Sequence, residues 1–316
     1  MNSNKDTLGQ AILYHLPMVY LINGGLLVLT VGLFPNINKQ SVVTVLIQVI
    51  QHFQKRNVQI VLLKDVAEKI GYPELGCSQQ DMIKKITVGL TIGGDGTLLN
   101  TAREISAMGI PLCGVNMGRL GFLTEIELPD LNASLDKLID RKYQIEEHLM
   151  LDAMILRQNR LIHVSSALND VVISKSGVSR MIKFNVSLDN VLTANYAADG
   201  LIIATATGST GYSLSAGGPI INPLLKVMVL TPICSHTLHV RPLVVSEKEE
   251  IKVEMTGNQE DVVLTIDGQT VYSLIANDTV LIKQSPFSAQ FIRLNNRSYY
   301  ETLRIKLWRS EKNANL

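Results

Sequence analysis

The stretch Ile86-Thr87-Val88-Gly89-Leu90-Thr91-Ile92-Gly93-Gly94-Asp95-Gly96-Thr97-Leu98-Leu99 decides the fold. An uncharged, apolar and β-branched run enters three closely spaced glycines, and residues 98–108 then read as a helix. A short apolar run closed by glycine and followed by a helix is the pattern of a strand buried on both faces. Working outward, residues 26–34 (Leu-Leu-Val-Leu-Thr-Val-Gly-Leu-Phe) form a first such strand, which leads into a loop at 35–38. Residues 42–56 follow as a helix, with Val42, Val45, Leu46, Val49, Ile50 and Phe53 at one-sided spacing. Further strands are expected at 58–63 and 110–115. This alternation implies right-handed crossovers and an open parallel sheet, with the ligand site beyond the carboxyl ends of its strands. The glycine loop stands at such an end.

Beyond Lys142 the texture changes to short alternating segments, 149–157, 171–174, 183–188, 251–255 and 262–266, separated by turn residues. These indicate a mostly β second domain. The fold class expected is thus an α/β N-terminal domain with an open parallel sheet, followed by a mostly β domain. Boundaries are expected at 28–142 for the α/β domain with the Gly93–Thr97 loop, 143–290 for the β-rich domain, and 291–316 for a tail returning to the first domain. A chain of 316 residues has the length for two domains at about 100–200 residues each.

Composition removes several functions. With 29 Lys+Arg against 28 Asp+Glu, the chain lacks the basic excess that nucleic-acid binding leaves in a sequence, so no nucleic-acid partner is expected. Cys77, Cys113 and Cys234 form no CxxC pair, which argues against a zinc knot or a disulfide framework and fits a reducing cytoplasm. Between Asp6 and Lys39 there is no charged residue, and the apolar part, 16–34, is long enough to span a bilayer. Pro17 and Asn23-Gly24-Gly25 interrupt it and no basic cluster flanks it, so no membrane role is expected.

Two glycine-rich segments carry the chemistry. Gly93, Gly94 and Gly96 let a polyanion approach the backbone, and the helix that follows aims its free N–H groups at it. A carboxylate there repels phosphate, and accepting a proton from a hydroxyl that attacks phosphorus is a reason for Asp95 to be present. The plainer alternative is a tight strand-to-helix turn in which Asp95 caps the helix. The loop is neither a P-loop nor GxGxxG, since no Gly-Lys pair occurs in the chain and Leu99 stands at the last glycine position. From Asp199-Gly200 to Pro219 the chain is dense in glycine and hydroxyl residues, including Thr207, Thr210, Gly211, Tyr212 and Ser215, which suits a flat or extended ligand or else a strand connection. Asn169-Asp170 offers an amide and a carboxylate that suit vicinal ribose hydroxyls, or an ordinary Asx turn. His236 and His239 have HxxH spacing but Pro232 and Pro242 bracket them, so a zinc site is not expected and no metal ligands are assigned. Glu247-Lys248-Glu249-Glu250 reads as a solvated hairpin tip.

In this order the motifs resemble the bacterial NAD kinases, a family dependent on ATP or polyphosphate. The resemblance runs from about Val28 to the tail. It rests on Val31-Gly32-Leu33-Phe34-Pro35-Asn36, the Gly93–Thr97 loop, Asn116-Met117-Gly118-Arg119-Leu120-Gly121-Phe122-Leu123-Thr124, Asn169-Asp170, the 199–219 segment, His236-Thr237-Leu238-His239-Val240-Arg241-Pro242-Leu243 and Ile266-Asp267-Gly268-Gln269. It implies transfer of the ATP γ-phosphate to the 2′-hydroxyl of the adenosine ribose of NAD, giving NADP. Asp95 would then be the general base, and Gly93, Gly94, Gly96 and Thr97 would hold phosphates. Asn169 and Asp170 would bind the adenine-ribose end and Asp199 the nicotinamide end. Thr207, Thr210 and Tyr212 would shape the adenine pocket, with Gly211, Ser215 and Gln269 also binding nucleotide. Mg²⁺ or another divalent cation would ride on the phosphates. The partners implied are NAD, ATP or polyphosphate, and further copies of the chain in a homodimer or homotetramer built on the β domain.

Two small residues depart from the family: Ala206 stands where proline is frequent, and Gly211 where alanine is frequent. The larger departure is at the front, where residues 1–27 read as a non-native or disordered extension. Gly24-Gly25 can be encoded by a ribosome-binding-like sequence, and Leu26, Leu27 or Val28 by alternative start codons. A non-catalytic dinucleotide-binding regulator, or a lipid or sugar kinase sharing the loop, is the competing reading.

Overall fold

The computed structural model describes residues 28–308, apart from 159, 178–180, 237–238, 258–260 and 296. The expected extension at 1–27 lies outside the described residues. The first half is the α/β unit. Strands Thr30–Pro35, Gln59–Leu63, Val88–Gly93 and Leu112–Asn116 pair in parallel, with Gly76–Cys77 added beside Gln59–Leu63 and Ile126–Glu127 beside Leu112–Asn116. Helix Gln40–Lys55 buries Val42, Val45, Leu46, Val49, Ile50 and Phe53, the stripe read from spacing. At about 1.5–3 kcal/mol for each fully buried large apolar side chain, that face holds the helix to the sheet. Helices Asp95–Ile105 and Leu131–Ile139 each bury one apolar face in the same way.

The second half is mainly β. Strands Leu243–Ser246, Val227–Ile233, Gly200–Thr205, Asp170–Lys175, Val262–Ile266 and Thr270–Leu274 lie in that order in an antiparallel sheet. The other β-domain strands do not form a separate sheet. Thr279–Arg293 pairs antiparallel with Gln144–Arg157 and with Ile251–Met255, and at Phe291 it pairs in parallel with Leu112. The parallel sheet of the first half therefore continues into antiparallel strands of the second. Phe291, buried at this junction, meets His148 edge-on with ring centroids 4.8 Å apart.

Several details differ from the sequence reading. The boundary expected between residues 290 and 291 falls inside the Thr279–Arg293 strand. The Glu247–Glu250 run is not a hairpin tip: it joins Leu243–Ser246 of one sheet to Ile251–Met255 of the other. Helices Lys64–Lys69 and Gln79–Lys85 gave no signal, because six and seven residues are too few to show a periodic stripe. After a capping box of Ser298 and Glu301, helix Tyr299–Leu303 brings the chain end against the first half, where Lys306 Nζ lies 4.2 Å from the Phe122 ring centre. Among the described residues no helix is long and apolar enough to cross a membrane.

Candidate active site

Strand Val88–Gly93 ends the loop's first glycine in the sheet, Gly94 is the extended N-cap, and the helix begins at Asp95. Gly94 and Gly96 are exposed, with open space where a Cβ would stand. The first amides of a helix have no partner within it, so this end offers N–H groups to an anion. The tight strand-to-helix turn is present, but Asp95 does not cap the helix. Its carboxylate instead crosses to the loop after Asn116. Oδ2 accepts from Phe122 N at 2.7 Å, and Oδ1 accepts from Leu123 N at 3.2 Å, Thr124 N at 3.1 Å and Thr124 Oγ1 at 3.3 Å. Gly121 permits this approach, since a Cβ there would overlap Asp95 Oδ1. Thr97, half-buried on the first turn, packs beneath Gly93.

Asp170 begins strand Asp170–Lys175, Asn169 stands just before it, and a third acid organises them. Asp267 takes hydrogen bonds from Leu168 N at 3.0 Å, Asn169 N at 2.8 Å and Asp170 N at 3.0 Å, and its own N–H donates to Asp170 O at 2.9 Å. Burial, and next the Asp267 charge, push the Asp170 carboxyl up to about 7. Burial also raises Asp267, against the opposing pull of the three amides and Arg103. Gln269, expected at the nucleotide, is exposed and accepts from Arg103 Nη1 at 3.3 Å.

The 199–219 segment holds a strand, Gly200–Thr205, a tight turn, Thr207–Thr210, and a helical turn, Tyr212–Ser215. Thr205 ties it to the Asn169 turn: its hydroxyl donates to Leu168 O at 2.6 Å, its N–H to Asn169 O at 2.8 Å, and Gly208 N donates to its Oγ1 at 3.0 Å. Gly208 must be glycine for this contact, because a Cβ would collide with the Asn169 carbonyl. At Gly211 a Cβ would sit 3.2 Å from Gly208 O, 3.9 Å from Asn169 Nδ2 and 4.0 Å from Asp170 Oδ2, so Gly211 faces the amide and acid side chains. Ala206 has φ −58°, an angle proline shares.

Thr207 Oγ1 is 2.9 Å from Nδ1 of the buried His148. Burial depresses His148, which favours the neutral imidazole. Beyond it Glu146 pairs with Arg293 at 2.7 Å, and Arg293 Nη1 donates to Leu123 O at 3.1 Å, in the loop that holds Asp95. Phe122, His148, Thr207, Thr210, Arg293 and Tyr299 are among the residues lining a cavity of about 260 Å³.

Thr205 and Gly208 tie the Thr207–Thr210 turn to Asn169, and Gly211 faces Asn169 and Asp170. Asp95 is linked to Thr207 at one remove, through the Leu123 carbonyl, Arg293, Glu146 and His148, while Tyr212 and Ser215 are exposed. The structure sets Asp199 apart. That residue precedes Gly200, at the opposite end of the strand from Thr207, and pairs with Lys175 at 2.7 Å. Reasoning from sequence assigned no role to Phe122–Thr124, His148, Thr205, Gly208 or Asp267. The Phe122–Thr124 and Asp267 stretches stood in the quoted motifs, whereas His148 gave no signal. Among the described residues no three His, Cys, Asp or Glu side chains converge as a metal site.

Comparison with known proteins matches residues 31–143 to a model described as the ATP-NAD kinase N-terminal domain and 168–294 to one described as the ATP-NAD kinase C-terminal domain. The NAD kinase of Moorella thermoacetica is 42% identical over 277 residues, covering 88% of each chain. That of Thermoanaerobacter sp. is 41% identical, covering 88% of this chain and 98% of the other. In structure, yeast NADH kinase complexed with NADH aligns with a TM-score of 0.81 at 22% identity, over 92% of this chain and 89% of that one. An NAD kinase from Archaeoglobus fulgidus in complex with ATP aligns with a TM-score of 0.68 at 23% identity, over 87% and 97%.

The two turn glycines differ in what they permit. Gly208→Ala is expected to cost about 1–3 kcal/mol, because backbone must move, whereas Gly211→Ala should stay within about 1 kcal/mol. Denaturant unfolding of both variants checks this; equal costs would contradict the close approach at Gly208.

Proposed function

The chain belongs to the bacterial NAD kinase family and is a kinase, and we propose that it makes NADP by transferring the γ-phosphate of ATP to the 2′-hydroxyl of the adenosine ribose of NAD, with Asp95 as the general base. The observation that carries this reading is a proton acceptor set inside an anion cradle: Asp95 opens a helix between two exposed glycines. The Phe122–Thr124 donors fix the direction of its carboxylate. As the ribose hydroxyl approaches, one of these bonds gives way and an Asp95 oxygen takes the hydroxyl proton. The ribose oxygen bonds to the γ-phosphorus and the bond from phosphorus to the bridging oxygen of ADP breaks. Gly93, Gly94, Gly96 and Thr97 line the phosphate path. Asn169 and Asp170 read the ribose and adenine from one side, and Thr207, Thr210, Gly211, Tyr212 and Ser215 from the other. Asp199, already balanced by Lys175, is left for the far end of an extended dinucleotide.

A divalent cation such as Mg²⁺ fits this arrangement as a partner of the phosphates. With no cluster of protein ligands among the described residues, it would be held mainly by phosphate oxygens, where it offsets the charge that builds during transfer. A homo-oligomer is supported by apolar side chains exposed on edge strands: Leu161, Ile162 and Val164 on Arg160–Ala167, Val191 and Leu192 on Val191–Ala198, and Val271 on Thr270–Leu274. Such edges are open templates for pairing.

Three outcomes test these points. Asp95→Asn should lower NADP formation by at least about 100-fold while NAD still binds; near-normal turnover rejects the base, and a lipid or sugar acceptor phosphorylated in preference to NAD rejects the acceptor. A carboxyl at about 7 is protonated below that pH and then presents fewer acceptors to ribose hydroxyls. The KM for NAD is therefore expected to fall as pH rises through 7, and Asp170→Asn to flatten that dependence; an unchanged profile in the variant contradicts it. Light scattering on the purified chain should give a dimer or tetramer, and a monomer at micromolar concentration refutes the edge-strand reading.

A further inference from the structure

We propose that Arg103 is a positioning residue for the transfer, fixing the ribose-reading turn Leu168–Asp170 relative to the phosphate loop through its grip on the Asp267 hairpin; this rests on the function proposed above. Arg103 belongs to the helix that begins at Asp95, so whatever it holds is held in register with the glycine loop. Its guanidinium reaches across to the β domain. Nη1 donates to Gln269 Oε1 at 3.3 Å and Nη2 to Thr270 Oγ1 at 3.0 Å, while Nε lies 3.8 Å from Asp267 Oδ2.

All three partners sit at the turn between strands Val262–Ile266 and Thr270–Leu274. Asp267 and Gly268 both have positive φ there, 50° and 66°, so the turn is sharply defined. Asp267 passes the constraint on. Its fully buried side chain takes the amides of Leu168, Asn169 and Asp170, and its own amide returns a bond to Asp170 O. Beside its three amide donors the Asp267 carboxyl faces one cation, Arg103, whose guanidinium is itself largely buried. The buried Nε has no hydrogen-bond acceptor, and Asp267 Oδ2 at 3.8 Å faces it as an ion-pair partner. No apolar contact would do the same work, because a planar fork constrains direction as well as distance.

Arg103 touches no residue assigned to phosphate, ribose or adenine, apart from Gln269, whose side chain it occupies. Its effect is therefore on alignment, and a misplacement of about 1 Å can cost about 100-fold in rate. In the full chain, Arg103→Met is expected to lower kcat/KM for NAD by about 10- to 100-fold with KM for ATP within about twofold of wild type. Arg103→Lys keeps the charge but not the fork and should recover only part of the loss. Asp267→Asn should show a similar loss, and the double variant should be no worse than the poorer single one. Wild-type kcat/KM in Arg103→Met, losses that multiply in the double variant, or a matching rise in the KM for ATP would each overturn the proposal.

Amide hydrogen exchange keeps the test sharp if Arg103→Met does not fold. In Arg103→Lys, exchange at Leu168–Asp170 should quicken while that at Gly93–Asp95 stays as in wild type; unchanged exchange at both overturns the coupling. A wild-type chain that makes no NADP would reject the function and leave exchange to judge the coupling.

Discussion

A carboxylate that gathers three consecutive backbone amides is the contact on which this site depends, and the chain uses it twice. Asp95 holds Phe122, Leu123 and Thr124; Asp267 holds Leu168, Asn169 and Asp170. Buried peptide N–H groups outside regular structure need acceptors, and an ionised oxygen is a strong one. Each acid therefore fixes a loop that would otherwise have several conformations. The glycines follow from the same demand: Gly121 and Gly208 are the points at which backbone must come within side-chain distance of the partner loop.

The continuous sheet gives these loops a rigid frame. Because Thr279–Arg293 pairs with Gln144–Arg157 along most of its length and meets Leu112 at Phe291, the two halves share hydrogen bonds rather than a linker. Arg293, at the end of that strand, bonds both Glu146 and the Leu123 carbonyl. From Glu146 the contacts run through His148 to Thr207. The loop that holds Asp95 and the turn that carries Thr207 are thereby anchored on one strand pair, although they are some 80 residues apart in sequence.

Much of this was legible before the structure. The helix at 40–55 announced itself through Val42 to Phe53, and the strand ending at Gly93 through an uncharged apolar run, because local periodicity reports which face of an element is buried. The Asn169-Asp170 pair and the Thr207–Gly211 turn stood out by residue type, and the structure sets the two turns side by side. The Arg103 contact of Gln269 was not legible, because an exposed amide beside Asp-Gly looks the same in sequence whether or not an arginine 166 residues away reaches it. Glu247–Glu250 misled for a related reason: charge reports solvation, and does not tell whether the flanking strands share a sheet.

The sequence by itself determined the main strand-and-helix alternation of the first half, the α/β-then-β division, the position of the glycine loop and the family. All of these reside in local pattern or contiguous motif. Only the tertiary structure decided that Asp95 points to the Phe122–Thr124 amides rather than capping its own helix, that Asp267 is the organiser of the Asn169 turn, and that Asp199 stands away from the rest. These depend on which backbone donors a folded chain brings to a given carboxylate. Partners 27 to 99 residues distant leave no imprint on the residues beside it.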